Sequence, residues 1–273
     1  MKIADLSYYD GKINWELARK ELDFVIFRAS IDNRGDTNYL DYAENCHLPF
    51  GVYHFYKGAN KAEVIKETEF FYNYATQNNL KPLFYCLDIE HTTHTSKNVK
   101  EVCLAGLETL RKFNVPKVGL YIGQSLYPYI KDITDQFDFI WIPRYGKDTG
   151  LMDEKYKPIY PYDLWQYTSK GKVSGINHAV DLNTLGDKTL EWFLNKEDTN
   201  NMKEKILVTT SSLNVRSGDA TTYPIIGVLS KGEKIVNILD LNNIPIISIN
   251  NWYAIKYNNQ IGWVSGKYIK EGD

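Results

Sequence analysis

Two carboxylates stand two positions apart at the end of an apolar segment, in the stretch PLFYCLDIEHTTHTS at residues 82–96. Side chains alternate between the faces of a β-strand, so Asp88 and Glu90 should share one face. A carboxylic acid whose pKa is raised by burial and by a neighbouring carboxylate can donate a proton, while the second carboxylate stabilises positive charge. The pair is therefore a candidate for general acid catalysis. The spacing alone also suits a Mg²⁺ site, or a strand end that caps the next element.

Two further acids occupy similar positions in the sequence. Asp5 lies near the end of the first apolar run, and Asp181 lies near the end of the last one. If the runs are strands of a closed barrel, the first and last are neighbours, and these two carboxyls approach each other across the seam. We therefore expect one pocket at the barrel mouth, lined by the carboxyls of Asp5, Asp88, Glu90 and Asp181.

Aromatic residues stand at the ends of the other apolar runs. They are Tyr53, Tyr121, Trp141, Tyr145, Trp165 and Tyr167. Aromatic faces stack on the apolar faces of pyranose rings, and a carboxylic acid beside them can protonate a glycosidic oxygen. The combination favours a sugar polymer as substrate. Arg144 either pairs with a carboxylate at the mouth or closes the barrel, and we place it in the substrate-binding set.

The elements that must position these residues can be read from the alternation of apolar and amphipathic segments. Short apolar runs occupy residues 2–7, 24–30, 49–56, 82–90, 117–123, 137–145, 162–168 and 177–183. Helix patterns between several of them, with Asn60 as a helix cap, favour a parallel sheet. Eight runs predict an α/β fold closed as a (β/α)8-like barrel of the TIM type. The barrel should be distorted, because the last three runs lack clear helices between them.

The pattern changes after residue 186. Residues 187–195 read as a closing helix capped by Asp187, and the polar stretch 196–204 reads as a linker. From residue 205, short β-branched runs separated by turn signals predict a small all-β barrel. The expected domains are thus residues 1–195 and 205–273. Met202 precedes the second domain, and an internal start there would yield a free copy of it.

Composition excludes several classes of function. The 273 residues are 43% hydrophobic and 24% charged with a net charge of −2, so no basic field predicts nucleic-acid binding. The three cysteines match no disulfide framework and are expected to be reduced and buried. The N-terminus lacks the apolar core of a signal peptide, and no apolar stretch is long enough for a membrane span. We expect synthesis in the cytoplasm and no membrane insertion.

The sequence HTTH, with His91 and His94, is a candidate zinc motif. A zinc site needs three or four converging ligands, and two histidines three positions apart in a polar loop do not provide them. We therefore expect no metal and no organic cofactor. His54 is interpreted as a hydrogen-bonded histidine on a strand.

The ordered motifs ADLSYYDGKINW, VIFRAS, GVYHFY, LDIE, GLYIG, WIPRY and LWQYTSKGKVSGINHAVDLN resemble those of glycoside hydrolase family 25, the muramidase lysozymes common in phage endolysins. The resemblance covers residues 1 to about 195. It implies hydrolysis of the β-1,4 bond between N-acetylmuramic acid and N-acetylglucosamine in peptidoglycan, after release from the host cytoplasm. It also implies that Glu90 is the general acid, that Asp88 assists the substrate's N-acetyl group as internal nucleophile, and that Asp5 and Asp181 shape the subsite.

One segment departs from the family pattern. The second strand often continues with an acid and a glycine, whereas this chain reads RASIDNRGD at residues 28–36. We expect a loop contact to differ there. A non-catalytic wall-binding protein is the alternative function, although the intact set of acids disfavours it.

The C-terminal stretches SSLNVRSGDATTYPIIGVLSKGEKI and NWYAIKYNNQIGWVSGKYI resemble a bacterial SH3-like domain of cell-wall enzymes. The resemblance implies binding to peptidoglycan peptides, with Tyr223, Trp252 and Tyr253 as groove candidates. Core packing of a small barrel is the alternative role for these aromatics. Pairing of chains through this domain is a further possibility, including pairing with a fragment begun at Met202.

Overall fold

A computed structural model of the chain describes residues 1–194, 206–235, 237, 246–258 and 260–271. The chain divides into two compact units, Met1–Asn195 and Lys196–Asp273. The expected linker at 196–204, including Met202, lies outside the described residues. Among the described residues, no helix has the length and apolarity needed to cross a membrane.

The described residues of the first unit, 1–194, form nine strands and five α-helices. The strands are β1 (Ile3–Leu6), β2 (Phe24–Ile31), β3 (Arg34–Gly35), β4 (Phe50–Phe55), β5 (Tyr85–Ile89), β6 (Val118–Ile122), β7 (Phe139–Pro143), β8 (Leu164–Gly171) and β9 (Val180–Leu185). The helices are α1 (Trp15–Ala18), α2 (Tyr39–Asn45), α3 (Lys61–Ala75), α4 (Val99–Lys112) and α5 (Leu190–Phe193). Short 3-10 turns occupy Tyr8–Asp10, Gln77–Asn79, Tyr127–Tyr129, Thr134–Gln136 and Glu154–Tyr156.

All strands of this unit except β3 form a closed eight-stranded barrel, in which each predicted apolar run supplies one strand. The predicted α/β barrel is therefore confirmed. Its distortion lies in β9, which runs antiparallel to both of its neighbours, β1 and β8. The connection from β8 to β9 spans only residues 172–179. A parallel return needs a crossover of about a dozen residues, so this short connection permits only an antiparallel strand.

Two apolar clusters hold the barrel. The inner cluster fills the barrel with aromatic side chains that include Phe24, Phe84, Phe139 and Trp141. Gly119 leaves room for one of them, since a Cβ atom there would lie 2.0 Å from the Phe139 ring. The outer cluster packs the barrel against its helices. Each fully buried large side chain contributes about 1.5–3 kcal/mol relative to an exposed position.

Three of these helices, α1, α3 and α5, begin at a residue whose side chain accepts a hydrogen bond from a free backbone N–H group. Asn60 caps α3 as predicted, with its Oδ1 accepting from Glu63 N at 3.1 Å. The expected cap of the closing helix is wrong, because Thr189 rather than Asp187 accepts from Trp192 N. This helix brings Phe193 against Phe84 and Phe139, with ring centroids 5.7 and 5.1 Å apart. Its contacts with residues at the strand starts close the barrel at the end opposite the mouth.

In the described part of the second unit, the regular elements are strands and one short 3-10 turn at Gly266–Tyr268. Its strands are β10 (Ile206–Val208), β11 (Ser212–Arg216), β12 (Ile225–Ser230), β13 (Lys234–Ile235), β14 (Trp252–Tyr257), β15 (Gln260–Ser265) and β16 (Ile269–Glu271). They form a three-stranded sheet in the order β13-β10-β16 and a four-stranded sheet in the order β12-β11-β15-β14. A small core that includes Leu213, Val215, Ile255 and Val264 holds the unit together. The predicted small all-β domain is confirmed.

Candidate active site

A cavity of about 280 Å³ opens where the parallel strands end. Its walls include the four predicted carboxyl groups and four of the predicted aromatics: Asp5, Asp88, Glu90, Asp181, Tyr53, Tyr121, Trp141 and Tyr145. Below this cavity the barrel interior is filled with apolar side chains, so the polar residues of the strands meet at the cavity. We call it the catalytic cavity below.

Asp88 and Glu90 reach the catalytic cavity from the end of β5. The residue between them, Ile89, packs in the outer cluster, as strand alternation requires. Asp88 is buried, and its Oδ1 has no hydrogen-bond partner among the described residues. Burial and then the nearby Glu90 raise the pKa of Asp88 well above its ordinary value. Burial by surrounding atoms also raises the pKa of Glu90, although its side chain stays exposed to solvent.

Two carboxamides hold Asp5 on the cavity floor. Gln166 Nε2 donates to both carboxylate oxygens of Asp5, at 2.9 and 3.0 Å, and Asn183 Nδ2 donates to Oδ2 at 2.8 Å. All three side chains are nearly inaccessible to solvent. Burial raises the pKa of Asp5 to about 6, with the two amides acting to lower it. The amides thus favour the ionised carboxylate in a place that would otherwise protonate it.

The orientation of both carboxamides is fixed by donors. Trp141 Nε1 donates to Asn183 Oδ1 at 2.8 Å, and an indole N–H can only donate. The hydroxyls of Tyr121 and Tyr145 donate to Gln166 Oε1 at 2.8 and 2.6 Å. Each amide oxygen is therefore occupied, and each NH2 group must face Asp5. The aromatics act here as hydrogen-bond donors as well as apolar walls.

Asp181 completes the acidic set from the last strand. It pairs in register with Asp5 across the antiparallel β1–β9 seam, so the predicted approach of these residues is confirmed. Its expected position near the end of the strand is wrong. Because β9 runs against its neighbours, a residue near its start reaches the mouth. Burial and then the charge of Asp5 raise the pKa of Asp181 to about 8.

Three predicted substrate-binding residues do not line the catalytic cavity. Gln166 faces the cavity, so its strand neighbours Trp165 and Tyr167 lie on the opposite face of β8. The Trp165 indole donates to the backbone oxygen of Arg144 at 2.8 Å and contacts the Tyr167 ring. Arg144 donates to the backbone oxygen of Lys157 outside the cavity. The placement of these three residues is corrected accordingly.

Other residues of the site were not identified from the sequence. Gln166 is two positions after the interior residue Leu164, and Asn183 is two positions after Asp181, so each lies on the same strand face as its partner. Strand alternation in the sequence would therefore have identified both residues. Arg28 also lines the catalytic cavity and forms a buried ion pair with Asp36 at 2.8 Å. No pattern in the sequence connects these two residues, because their pairing depends on the path of the β2–β3 turn.

A Ser–His–Glu chain lies in the barrel wall. Ser30 Oγ is 2.7 Å from His54 Nδ1, and His54 Nε2 is 3.0 Å from Glu67 Oε2. Its members are sealed from solvent, and burial lowers the pKa of His54. The arrangement joins β2, β4 and α3 and has no access for a substrate. His54 is thus a hydrogen-bonded strand histidine, as interpreted from the sequence.

The candidate zinc motif lies in the loop after β5. His94 Nε2 is hydrogen-bonded to the backbone oxygen of Gly58 at 3.1 Å, which ties this loop to the segment after β4. The His91 and His94 rings are 6.4 Å apart. In the part of the chain that the structure describes, no three His, Cys, Asp or Glu side chains are grouped to hold a metal ion.

The three groove candidates of the second unit differ in accessibility. Tyr223 is exposed, with 46% of its surface accessible, and its ring lies against Gly218. Tyr253 is half-buried against the small core. Trp252 is only 9% exposed, which leaves little of its ring accessible to a ligand, and its place in a binding groove stays a prediction.

Two segments of the chain match known protein families. Residues 4–176 match the glycosyl hydrolases family 25, and residues 211–270 match the bacterial SH3 domain. A Bacillus subtilis protein named "Putative N-acetylmuramoyl-L-alanine amidase YrvJ" is 27% identical over 175 residues, covering 59% of this chain and 31% of that protein. The chain thus spans about a third of the length of that curated relative.

Solved structures agree with the family match. GHIP, a glycosyl hydrolase 25 of Streptococcus pneumoniae, is 28% identical with a TM-score of 0.64, covering 71% of this chain and 91% of that chain. The catalytic domain of an endolysin from a bacteriophage of Listeria monocytogenes is 30% identical with a TM-score of 0.62, covering 72% and 96%. The matched segment contains Asp5, Asp88 and Glu90 and most of the barrel. The chain therefore belongs to family 25 of the glycosyl hydrolases and carries a bacterial SH3 domain after the barrel in its sequence.

Proposed function

We propose that the protein is an N-acetylmuramidase that hydrolyses the β-1,4 bond between N-acetylmuramic acid and N-acetylglucosamine in peptidoglycan. The observation that carries this proposal is the convergence of four carboxyl groups from β1, β5 and β9 on one cavity with aromatic walls. A glycosidic linkage needs one acid to protonate the leaving oxygen and a negative group to balance charge at the anomeric carbon. Family membership supports the same chemistry.

Glu90 is the proposed general acid. Burial raises its pKa, which favours the protonated form that a general acid needs, and its exposure at the rim lets it reach a glycosidic oxygen. As it protonates the leaving oxygen, the acetamide oxygen of the same muramic acid unit attacks the anomeric carbon. Glu90, now ionised, then takes a proton from the water that opens this intermediate. The net reaction adds one water across the bond.

Asp88 is the proposed partner of the acetamide group. Its unpaired Oδ1 is the buried acceptor in the cavity that an amide N–H would satisfy. A hydrogen bond from that N–H favours the ionised form of Asp88 against the burial that raises its pKa. The resulting carboxylate orients the acetamide oxygen towards the anomeric carbon and balances its developing positive charge. Asp5, held by its two amides, and Asp181 supply further negative potential to the subsite. Asp88→Asn should therefore strongly lower turnover, because the neutral amide stabilises the positive charge at the anomeric carbon less than a carboxylate does.

The C-terminal unit is the proposed wall-binding domain, with peptide or wall polymer as its ligand and Tyr223 as its exposed aromatic contact. The name of the Listeria phage protein supports a role as a phage endolysin, made in the host cytoplasm and active on the wall after release. Pairing of chains through this domain, including pairing with a fragment begun at Met202, stays part of the proposal. Replacing Met202 with Ala should remove any smaller co-purifying band.

Digestion of purified peptidoglycan tests the proposed bond. Released fragments are assayed for new reducing ends and new free amino groups, and their termini are identified by mass spectrometry. Muramic acid at the new reducing end is the expected result, whereas glucosamine there would contradict the proposed bond. Free amino groups alone would indicate an amidase, the activity in the name of the Bacillus subtilis relative. Neither product would indicate a non-catalytic wall-binding protein.

A further inference from the structure

A second cavity, the side pocket, adjoins the catalytic cavity. It has a volume of about 200 Å³ and shares Tyr9, Arg28 and Ile31 with its neighbour. Its other polar walls are Tyr8, Arg34, Asp36 and Thr37. These residues belong to the turn after β1 and to the β2–β3 hairpin, the segment where the sequence departs from the family pattern.

Arg28 forms a fixed cation in the wall between the two cavities. Its Nε donates to Asp36 Oδ2 at 2.8 Å, and its guanidinium lies 5.0 Å from the Tyr8 ring centroid and 5.4 Å from that of Tyr9. Asp36 also accepts from the backbone N–H groups of Tyr8 and Asn38. Asp36 therefore accepts hydrogen bonds from Arg28 and from two backbone N–H groups. These bonds fix the Asp36 carboxylate, which in turn holds the Arg28 guanidinium in position without a ligand.

Arg34 is the second cation and lies at the outer rim. It pairs with Ile31 in the tight β2–β3 hairpin, and the next residue, Gly35, contacts the Tyr74 ring so closely that a Cβ atom would lie 2.0 Å from it. This contact fixes the hairpin against α3. The Arg34 side chain is exposed and forms no ion pair or side-chain hydrogen bond with the described residues. It is therefore available to a ligand.

The two cavities differ in charge. The catalytic cavity has four carboxyl groups and one arginine, whereas the side pocket has two arginines and one aspartate. Arg28 is paired with Asp36, so the unpaired charge of the side pocket is that of Arg34, and an anionic group is more favourable there than among the acids of the catalytic cavity. This difference in charge suits a substrate that carries an anionic branch on a neutral sugar chain. The sugar would bind in the catalytic cavity, and the branch would bind in the side pocket.

We propose that the side pocket binds a carboxylate on the branch of the sugar unit next to the cleaved bond. This inference rests on the proposed function, since muramic acid is the sugar that carries such a branch. The carboxylate belongs either to the lactyl group itself or to the peptide attached to it. Arg34 provides a planar pair of donors that match a carboxylate, and Arg28 adds a second positive charge behind it. The side pocket would thus make the enzyme prefer glycan strands that carry this carboxylate.

Kinetics on three substrates test this proposal. The first is uncross-linked glycan strands with their peptides; the second is the same strands after removal of the peptides, which frees the lactyl carboxylate. The third is the peptide-bearing strands after their carboxylates are converted to methylamides. Arg34→Ala should raise KM about three- to tenfold on whichever of the first two substrates carries the recognised carboxylate. The difference between variant and wild type should disappear on the amidated strands.

Two further variants define the controls. Arg34→Lys keeps the charge but loses the planar pair of donors, so it should recover part of the lost affinity. Arg19→Ala removes an exposed arginine outside both cavities and accounts for general attraction to an anionic polymer. Equal KM values for wild type and Arg34→Ala on both charged substrates would overturn the proposal, as would an equal loss on all three substrates. Failure of the wild type to release muramic acid ends would instead reject the proposed function.

Discussion

Asp5 and Asp181 stand directly opposite each other in the antiparallel pairing of β1 with β9. The seam of the barrel therefore places two carboxyl groups side by side under the same cavity. The pKa of Asp5 is raised to about 6 and that of Asp181 to about 8, in each case chiefly by burial. Asp5 has amide donors that offset its burial, so its pKa is raised less than that of Asp181.

This seam should make the fold less stable as the pH rises. A carboxyl whose pKa is higher in the folded than in the unfolded state stabilises the fold below its unfolded pKa, and that contribution is lost as the pH rises through the folded pKa. For Asp181 the window runs from 3.8 to about 8. Asp181→Asn should therefore raise the melting temperature of the barrel by a few degrees, about 3 °C, at pH 8 and flatten its pH dependence.

Thermal unfolding of the full chain between pH 4 and pH 8 measures this effect. Asp135→Asn, an exposed aspartate far along the chain from the seam, serves as the matched control and should leave the curve unchanged. Parallel curves for wild type and Asp181→Asn would show that burial of Asp181 does not perturb its titration.

Gln166 should be a stability determinant as well as a wall of the cavity. Gln166→Leu removes the donor to Asp5 and leaves the hydroxyls of Tyr121 and Tyr145 without their acceptor. Buried polar groups without partners cost about 1–3 kcal/mol each, so the free energy of unfolding should fall by about 2–4 kcal/mol. Denaturant unfolding measures this, with the exposed Gln136→Leu as control. A loss no larger than that of the control would mean that the network rearranges freely.

The loss of the amide should also change catalysis. Without its donor, the pKa of Asp5 should rise, so the acidic limb of the pH–rate profile should move to higher pH. Asn183→Leu should act in the same direction, because it removes the other amide. An unchanged profile in both variants would remove Asp5 from the set of groups whose ionisation governs turnover.

The buried Ser30–His54–Glu67 chain should be structural. Ser30→Ala leaves a ring nitrogen of His54 without a partner and should lower the free energy of unfolding by about 1–3 kcal/mol. Turnover at saturating peptidoglycan should stay near the wild-type value below the melting transition. Labelling of Ser30 by a serine-reactive phosphonate, together with a large loss of turnover in Ser30→Ala, would instead show a second nucleophilic centre.

Substitutions of exposed and buried aromatic residues in the C-terminal unit should have different effects. Tyr223→Ala should weaken sedimentation of the protein with intact walls several-fold and leave turnover on short soluble glycan fragments unchanged. Trp252→Ala should instead lower the stability of the small domain by about 3–5 kcal/mol, because the ring is buried. Equal wall binding by Tyr223→Ala and wild type would place the ligand on another face.

The alternation of apolar and helical segments was enough to predict the barrel, its distortion and the convergence of its four acids, because each depends on local periodicity and strand order. The direction of the last strand could have been derived from its short connection. Trp165 and Tyr167 do not lie at the mouth as predicted, because side chains alternate along β8 and Gln166 between them faces the cavity. The Arg28–Asp36 pair depends on the path of one hairpin, which residue types alone do not specify.

Turnover of purified peptidoglycan by Glu90→Gln is the most direct test of the central claim that a carboxylic acid at this position protonates the glycosidic oxygen. Gln keeps the size of Glu but has no acidic proton to transfer, so the variant should fold with an unchanged melting profile and its kcat should fall about 10²–10⁴-fold. A folded Glu90→Gln enzyme that releases reducing ends at the wild-type rate would contradict the account.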